Sequence, residues 1–146
     1  MDKKKILLVD DEPAFLELLK LRLEINGYDV TTALSGQEAL EKMSFGKFDA
    51  ALLDIIMPDP DGLEVLRRIR KDYPDFPVFM ITAFSPEDEF NQERFKAAKG
   101  LNVNGFIFKA GDLSQEIKNV STLLEILEQR KKPGGEYDRC LKNGFS

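Results

Sequence analysis

The residues best suited to chemistry in this sequence are acids, one threonine and one lysine that follow short apolar runs. Asp10 and Asp11 follow the first run, and Asp54, Thr82 and Lys109 follow three later ones. Carboxylates packed a few ångströms apart repel one another by several kcal/mol at a protein-like dielectric, so they need a positive charge nearby. One lysine does not balance three acids, and an all-oxygen ligand set favours Mg²⁺. The pattern therefore predicts a site for a hard divalent cation.

Such a site has a natural use in phosphoryl chemistry. A bound Mg²⁺ with open positions attracts phosphoryl oxygens. Thr82 could donate a hydrogen bond to such an oxygen, and Lys109 could pair with it as a point charge. This leaves Asp54 as a carboxylate nucleophile of the kind that forms an aspartyl-phosphate.

The composition excludes several other kinds of chemistry. The chain has no histidine, so it can build neither a Ser-His-Asp triad nor a histidine-ligated zinc or haem site. Its single cysteine, Cys140, allows no internal disulfide and no cysteine-rich cluster, which suits a reducing compartment. The apolar run at residues 6–9 is too short for a signal peptide, and no run is long enough to span a bilayer. We expect a soluble cytoplasmic protein with no membrane contact.

The charge is unevenly distributed along the chain. The net charge is −5, and residues 130–146 hold five basic and two acidic residues, which gives this segment +3 and the remainder −8. A main body that is this acidic argues against direct binding of nucleic acid.

Short apolar runs alternate with helical patterns, which predicts five strands alternating with five helices. The predicted strands are residues 5–9, 28–33, 48–53, 77–81 and 104–108. Parallel neighbours need crossover helices, so this order predicts a single α/β domain with helices on both faces of a doubly wound sheet. In such sheets the functional crevice lies beyond the carboxyl ends of the strands, where the chemical residues above are expected.

The predicted domain occupies residues 4–129. A breaker-rich stretch with Pro133-Gly134-Gly135 follows, so we expect residues 130–146 to be a flexible linker or tail.

The residues at the predicted strand ends resemble those of the receiver domain of two-component response regulators. The resemblance spans about residues 4–129 and rests on elements in the right order: Asp10-Asp11, Asp54 followed by Ile55-Ile56-Met57-Pro58, Asp61-Gly62, Thr82-Ala83, and Phe106 three residues before Lys109. It implies a flavodoxin-like sheet with strand order 2-1-3-4-5.

The resemblance also implies a role for each site residue. Asp54 would accept a phosphoryl group from a phosphohistidine on a sensor histidine kinase or histidine phosphotransfer protein. Asp11, Asp54 and the backbone carbonyl of Ile56 would ligate Mg²⁺, with Asp10 acting nearby through water. Such a domain is a signalling switch that catalyses only its own aspartyl phosphorylation and dephosphorylation.

The remaining implied roles concern how the signal leaves the site. Thr82 and Lys109 would bind the phosphoryl oxygens, and Phe106 would swing inward as Thr82 moves towards them. The face formed by the fourth helix, fifth strand and fifth helix would then bind a downstream effector, and a homodimer through this face is a further expectation.

The sequence departs from the family pattern at several positions. Ala110-Gly111 follows Lys109 where the family usually has proline, so we expect a trans peptide bond or a rearranged loop there. The stretch between Thr82 and Lys109 is longer than usual, with the extra residues expected around the fourth helix. In this family the residues two past the phospho-acceptor and two past the threonine influence how readily water attacks the phosphate. Here they are Ile56 and Phe84, both apolar, so the resemblance implies a shielded phosphoryl-aspartate that lives longer than polar residues would allow.

Two alternatives remain open from the sequence. A magnesium-dependent hydrolase of the haloacid-dehalogenase type also uses a strand-end aspartate, although its two acids are separated by one residue on the first strand. An adaptor that is never phosphorylated is the second alternative, and the missing proline after Lys109 leaves room for it. Taken singly, each acid, the threonine and the lysine is typical of a helix start, a strand or a solvated surface.

Overall fold

The computed structural model describes residues 3–85 and 87–131, and within them the chain alternates between strands and helices as predicted. The elements are β1 Lys5–Val9, α1 Pro13–Ile25, β2 Asp29–Ala33, α2 Gly36–Phe45, β3 Ala50–Asp54, α3 Gly62–Asp72, β4 Val78–Thr82, α4 Gln92–Gly100, β5 Gly105–Phe108 and α5 Leu113–Lys131. None of the helices in this part of the chain combines the length and the apolar character that a membrane span requires.

The five strands form one parallel sheet in the order β2-β1-β3-β4-β5, which confirms the predicted fold. The three central strands are nearly uniform runs of apolar residues because helices cover both faces of the sheet. Successive side chains on a strand point to opposite faces, so each central strand contributes to two cores.

The two cores are separated by the sheet. On one face, Ile6 and Leu8 pack with side chains of α1 and α5. On the other, Leu7 and Val9 pack with side chains of α2, α3 and α4. The sheet is therefore held from both sides, and its carboxyl edge is left for polar residues.

Local capping explains where two of the helices begin. The Ser35 hydroxyl accepts a hydrogen bond from the Glu38 backbone N–H at the start of α2, and the Glu38 carboxylate accepts one from Leu34 N–H. The Asp61 carboxylate accepts from Glu64 N–H at the start of α3. Ser35 and Asp61 therefore cap α2 and α3, and the Glu38 carboxylate adds a second bond to the residue before Ser35.

The sequence pattern over residues 86–99 predicts the fourth helix, but α4 begins only at Gln92. Residue 86 lies outside the described residues, and a 3₁₀ turn at Glu89–Asn91 precedes α4. Asp88 N–H donates to Ser85 O and Asn91 N–H donates to Asp88 O, so the chain first makes tighter turns than those of an α-helix. The helical pattern alone does not distinguish such turns from a full α-helix.

Candidate functional site

Strand register brings the predicted site residues to one edge of the sheet. Asp10 follows β1 directly, Asp54 ends β3, Thr82 ends β4, and Lys109 follows β5. Val9 lies beside Leu53, Asp54 beside Ile81, and Thr82 beside Phe108 in the parallel ladders. All four strands therefore end at about the same level, which places these side chains around one cleft.

The Lys109 ammonium is the centre of this arrangement. Its Nζ atom lies 2.8 Å from Asp10 Oδ2, 2.5 Å from Glu12 Oε1 and 3.3 Å from Asp54 Oδ2. The Asp10 and Asp54 side chains are almost fully buried, whereas that of Glu12 is largely exposed. One cation therefore faces three carboxylates, and Glu12 stands among them where the prediction had Asp11.

Burial and this imbalance of charge make ionisation of Asp54 unfavourable. Burial and, after it, the charge of Asp10 raise the pKa of Asp54, while Lys109 and the hydrogen bond from Ile56 N–H oppose the shift, and the net result is a pKa raised from 3.8 to about 7. For Lys109, burial alone would lower the pKa, but pairing with Asp10 and Glu12 and the charge of Asp54 raise it above its ordinary value. The lysine therefore stays charged while Asp54 titrates near neutrality.

The acids at this edge are suited to a hard cation. Oxygens of Asp10, Glu12 and Asp54 lie within 4.8 Å of one another. Asp10 Oδ2 is buried and in ion-pair contact with Lys109, yet it receives no well-directed hydrogen bond from the part of the chain that the structure describes. A buried carboxylate oxygen with spare coordinating capacity, among other carboxylates, is the kind of donor that Mg²⁺ binds.

The carboxylates that the geometry brings together differ from the predicted ligands. The prediction named Asp10, Asp11, Asp54 and the Ile56 carbonyl, whereas the clustered carboxylates are those of Asp10, Glu12 and Asp54. Asp11 is exposed, and with Ile56 it lines a cleft of about 290 Å³ above Asp54. No role for Glu12 was predicted from the sequence, although its place directly after Asp10-Asp11 was a signal for one.

Thr82 and Phe84 line this cleft together with the acids. The Thr82 hydroxyl oxygen is buried and accepts a hydrogen bond of 3.0 Å from Phe84 N–H. Ala83 and Lys109 also line the cleft. The hydroxyl therefore lies at the site, where it is hydrogen-bonded to the backbone of the loop that follows β4.

Phe106 lies outside the cleft. Its ring is half-buried and packs edge-on against Phe95, with centroids 5.0 Å apart. Phe106 and Phe95 also line a groove with Gln92, Lys96 and Lys99. The predicted switch aromatic is thus on the surface side of α4 and β5, away from the acids.

The loop after Lys109 has an ordinary backbone despite the missing proline. Of the described peptide bonds, the cis ones are limited to Asp59-Pro60, so the bond between Lys109 and Ala110 is trans. Lys109 N–H donates to Thr82 O, which continues the register of β4 and β5, and Gly111 N–H donates to Phe108 O in a local turn. The ammonium reaches the cleft from this trans backbone.

A sequence model of the response regulator receiver domain family matches residues 6–121. The chain belongs to that family. This confirms the resemblance found in the sequence and leaves the hydrolase alternative without support. Members of the family act in two-component signalling, where response regulators interact with histidine kinases and effectors.

Several known proteins resemble the chain in sequence. The alkaline phosphatase synthesis transcriptional regulatory protein PhoP of Bacillus subtilis is 45% identical over 89 residues, which are 61% of this chain and 36% of that protein. The transcriptional regulatory protein TrcR of Mycobacterium tuberculosis is 47% identical over 79 residues, or 54% of this chain and 31% of that protein. The chain spans about a third of the length of these curated relatives.

Solved receiver structures match nearly the whole of the described domain. A CheY-like receiver domain protein from Methanospirillum hungatei has a TM-score of 0.79 at 29% identity and covers 88% of this chain and 99% of its own. The response regulator TrrA of Thermotoga maritima, in complex with Mg²⁺-BeF, has a TM-score of 0.70 at 36% identity and covers 82% of this chain and 98% of its own.

Proposed function

We propose that Asp54 is the phosphoryl acceptor of a magnesium-dependent switch. The observation that supports this most strongly is the convergence of Asp54, Thr82 and Lys109 on one cleft at the carboxyl edge of the sheet, with Asp10 buried beside Lys109. The donor is a phosphohistidine on a sensor histidine kinase or a histidine phosphotransfer protein, which agrees with the absence of histidine from this chain.

The transfer needs an ionised Asp54 carboxylate at the cleft. An Asp54 oxygen forms the new O–P bond while the P–N bond of the donor imidazole breaks, and the electron pair returns to the imidazole nitrogen. Burial makes the carboxylate hard to ionise, and the Lys109 ammonium favours the ionised form. Lys109 and the Thr82 hydroxyl then bind the oxygens of the transferred group.

A metal ion would be held by Asp10, Asp11, Asp54 and the Ile56 carbonyl, and Glu12 lies close enough to join them. When bound, Mg²⁺ would neutralise the carboxylates and the phosphoryl oxygens. The TrrA complex with Mg²⁺-BeF supports this choice of metal, because that relative shares the fold at 36% identity.

The output side of the switch is the α4-β5-α5 face. Binding of the phosphoryl group by Thr82 would take its hydroxyl from Phe84 N–H and open room for Phe106 to turn inward. The groove of Phe95 and Phe106 would then change shape, and an effector that distinguishes the two shapes would bind preferentially to one. A homodimer through this face and a cytoplasmic location remain parts of the proposal.

Incubation with a small phosphodonor and Mg²⁺, followed by intact mass measurement, tests the proposal. We expect the wild-type protein to gain one phosphoryl group and Asp54→Asn to gain none. The variant Asp59→Asn, which removes an exposed acid from the neighbouring loop, is the matched control and should gain the group normally. A gain that persists in Asp54→Asn would refute the assignment, and no gain in any variant would favour the unphosphorylated adaptor.

A further inference from the structure

The start of α1 contacts the Lys109 ammonium through Glu12 and Phe15, in addition to the buried acids. Glu12, the residue immediately before α1, is the carboxylate nearest to Lys109 Nζ. The ring of Phe15, three residues further on, has its centroid 4.7 Å from the same nitrogen. This distance is within the range of a cation–π contact.

The Phe15 ring is held in place by packing against the hydrophobic core. It is half-buried and packs against the core between α1, α5 and the sheet. Ala110, Gly111 and Asp112, by contrast, are exposed. The side chains that follow the lysine therefore offer it little support, and the contacts that locate its ammonium come from elsewhere in the fold.

The partners of Lys109 differ in what a bound cation would do to them. The carboxylates of Asp10, Glu12 and Asp54 are all candidate ligands, so a divalent cation would compete with Lys109 for their oxygens. The Phe15 ring is not a ligand for a hard cation, so a bound metal would leave its contact with the ammonium in place. An unsupported lysine would move away from the cleft at the moment when phosphoryl oxygens need it.

We propose that Phe15 is a positioning residue that keeps the Lys109 ammonium at the cleft when the acids bind a cation, whereas Glu12 holds the ammonium only when no cation is bound. The consequence for phosphoryl binding rests on the function proposed above. The positioning itself does not, because it concerns where the amine lies and how exposed it is.

Site-resolved acylation of lysines measures this position directly. Trace acetic anhydride is added to the folded protein with and without Mg²⁺, and the acetylation rate of Lys109 is compared with that of exposed Lys96 by peptide mass mapping. The Lys109 side chain is only 12% exposed, so slow labelling is expected in the wild type. In Phe15→Leu we expect labelling to rise about threefold with Mg²⁺ present, since the aromatic contact is lost.

Conservative and control variants distinguish the loss of a specific contact with Lys109 from a general loosening of the packing. Phe15→Tyr retains an aromatic face and should label like the wild type. Glu12→Gln should raise labelling about threefold without Mg²⁺ and less with it. Phe45→Leu and Glu17→Gln make the same changes at exposed positions and should change nothing.

The outcomes are decisive with or without phosphorylation. Faster labelling in Phe15→Leu than in Phe15→Tyr, at unchanged melting temperature, supports the proposal. Equal labelling of the wild type and Phe15→Leu overturns it, as does equal acceleration in Phe15→Leu and Phe15→Tyr. If Asp54 accepts no phosphoryl group, only the functional proposal fails, because the labelling result stands by itself.

Discussion

Lys109 and Arg70 are partly buried cations at opposite ends of the sheet, and they differ in the partners that hold them. Lys109 lies at the carboxyl edge among three carboxylates. Arg70, on α3, lies near the amino ends of β4 and β5, where its guanidinium donates to the backbone carbonyls of Phe76, Leu101 and Asn102 and to the Asn104 side chain. One cation has ionisable partners and the other has neutral ones.

The chemical nature of these partners determines whether the contacts of each cation can change. Backbone carbonyls neither titrate nor leave for a metal ion, so the partners of Arg70 are permanent and tie α3 to the loops before β4 and β5. Carboxylates can take up protons or be drawn to a cation, so the partners of Lys109 can be exchanged. Burial lowers the pKa of Arg70, with Asp75 opposing, whereas the carboxylates raise the pKa of Lys109. We infer that one end of the sheet is built for stability and the other for switching.

Replacing Arg70 should have the largest effect on stability. Arg70→Met leaves several carbonyls at the α4 end without a donor, so we expect a loss of about 3 kcal/mol in the free energy of unfolding. Urea denaturation measures it. Arg67→Met, on the exposed side of the same helix, removes only a surface ion pair and should cost less than about 1 kcal/mol. Equal losses in the two variants would contradict the structural role of Arg70.

Replacing Asp54 should raise the free energy of unfolding, whereas replacing Arg70 lowers it. The pKa of Asp54 is raised from 3.8 to about 7, so its ionisation destabilises the folded state increasingly as pH rises through this interval. Without metal, Asp54→Asn should therefore gain about 2 kcal/mol at pH ~8 and almost nothing at pH ~4. Denaturation at the two pH values, with Asp29→Asn as an exposed control, checks this. A variant less stable than the wild type at the higher pH would refute it.

Mg²⁺ should stabilise the carboxyl edge and leave the Arg70 end unchanged. At ten times its Kd, the ion should add about 1.4 kcal/mol to the stability of the wild type at neutral pH. Asp54→Asn should gain much less, whereas Arg67→Met should gain the full amount. Thermal melts with Mg²⁺ and with a chelator measure this. Equal gains in the wild type and Asp54→Asn would place the metal elsewhere.

The smallest expected effect concerns the lifetime of the phosphorylated form. Ile56 and Phe84 line the cleft with apolar surface, which limits the access of water to a phosphoryl group on Asp54. Ile56→Asn and Phe84→Glu should each speed its decay about fivefold, which corresponds to ~1 kcal/mol of barrier. The decay is followed by intact mass after removal of the donor. Wild-type decay as fast as that of the variants would contradict the shielding.

The sequence predicted the sheet and the strand-end residues because both follow from simple patterns. Buried parallel strands are continuous apolar runs, and a strand-end position fixes the edge at which a residue lies. The order of the strands came from family resemblance, since apolar runs alone do not state which strands are neighbours. The prediction for residues 130–146 concerns a segment of which only 130 and 131 are described, and there α5 continues to Lys131.

The contacts of individual side chains could not be predicted in the same way. Glu12 reaches Lys109 because α1 begins at Pro13 and the lysine extends across the cleft, and neither follows from spacing in the sequence. The hydrogen bond between Thr82 and Phe84 likewise depends on the path of the loop after β4. Such contacts depend on the three-dimensional arrangement of several elements at the carboxyl edge of the sheet.

The most direct test of the account is to identify the residue that carries the phosphoryl group. After incubation with a phosphodonor and Mg²⁺, borohydride reduces an aspartyl-phosphate to homoserine, and peptide mass mapping locates the change. We predict homoserine at position 54, with Asp10 and Asp11 unmodified. Homoserine at another aspartate, or phosphorylation that survives borohydride on a hydroxyl group, would contradict a switch centred on Asp54.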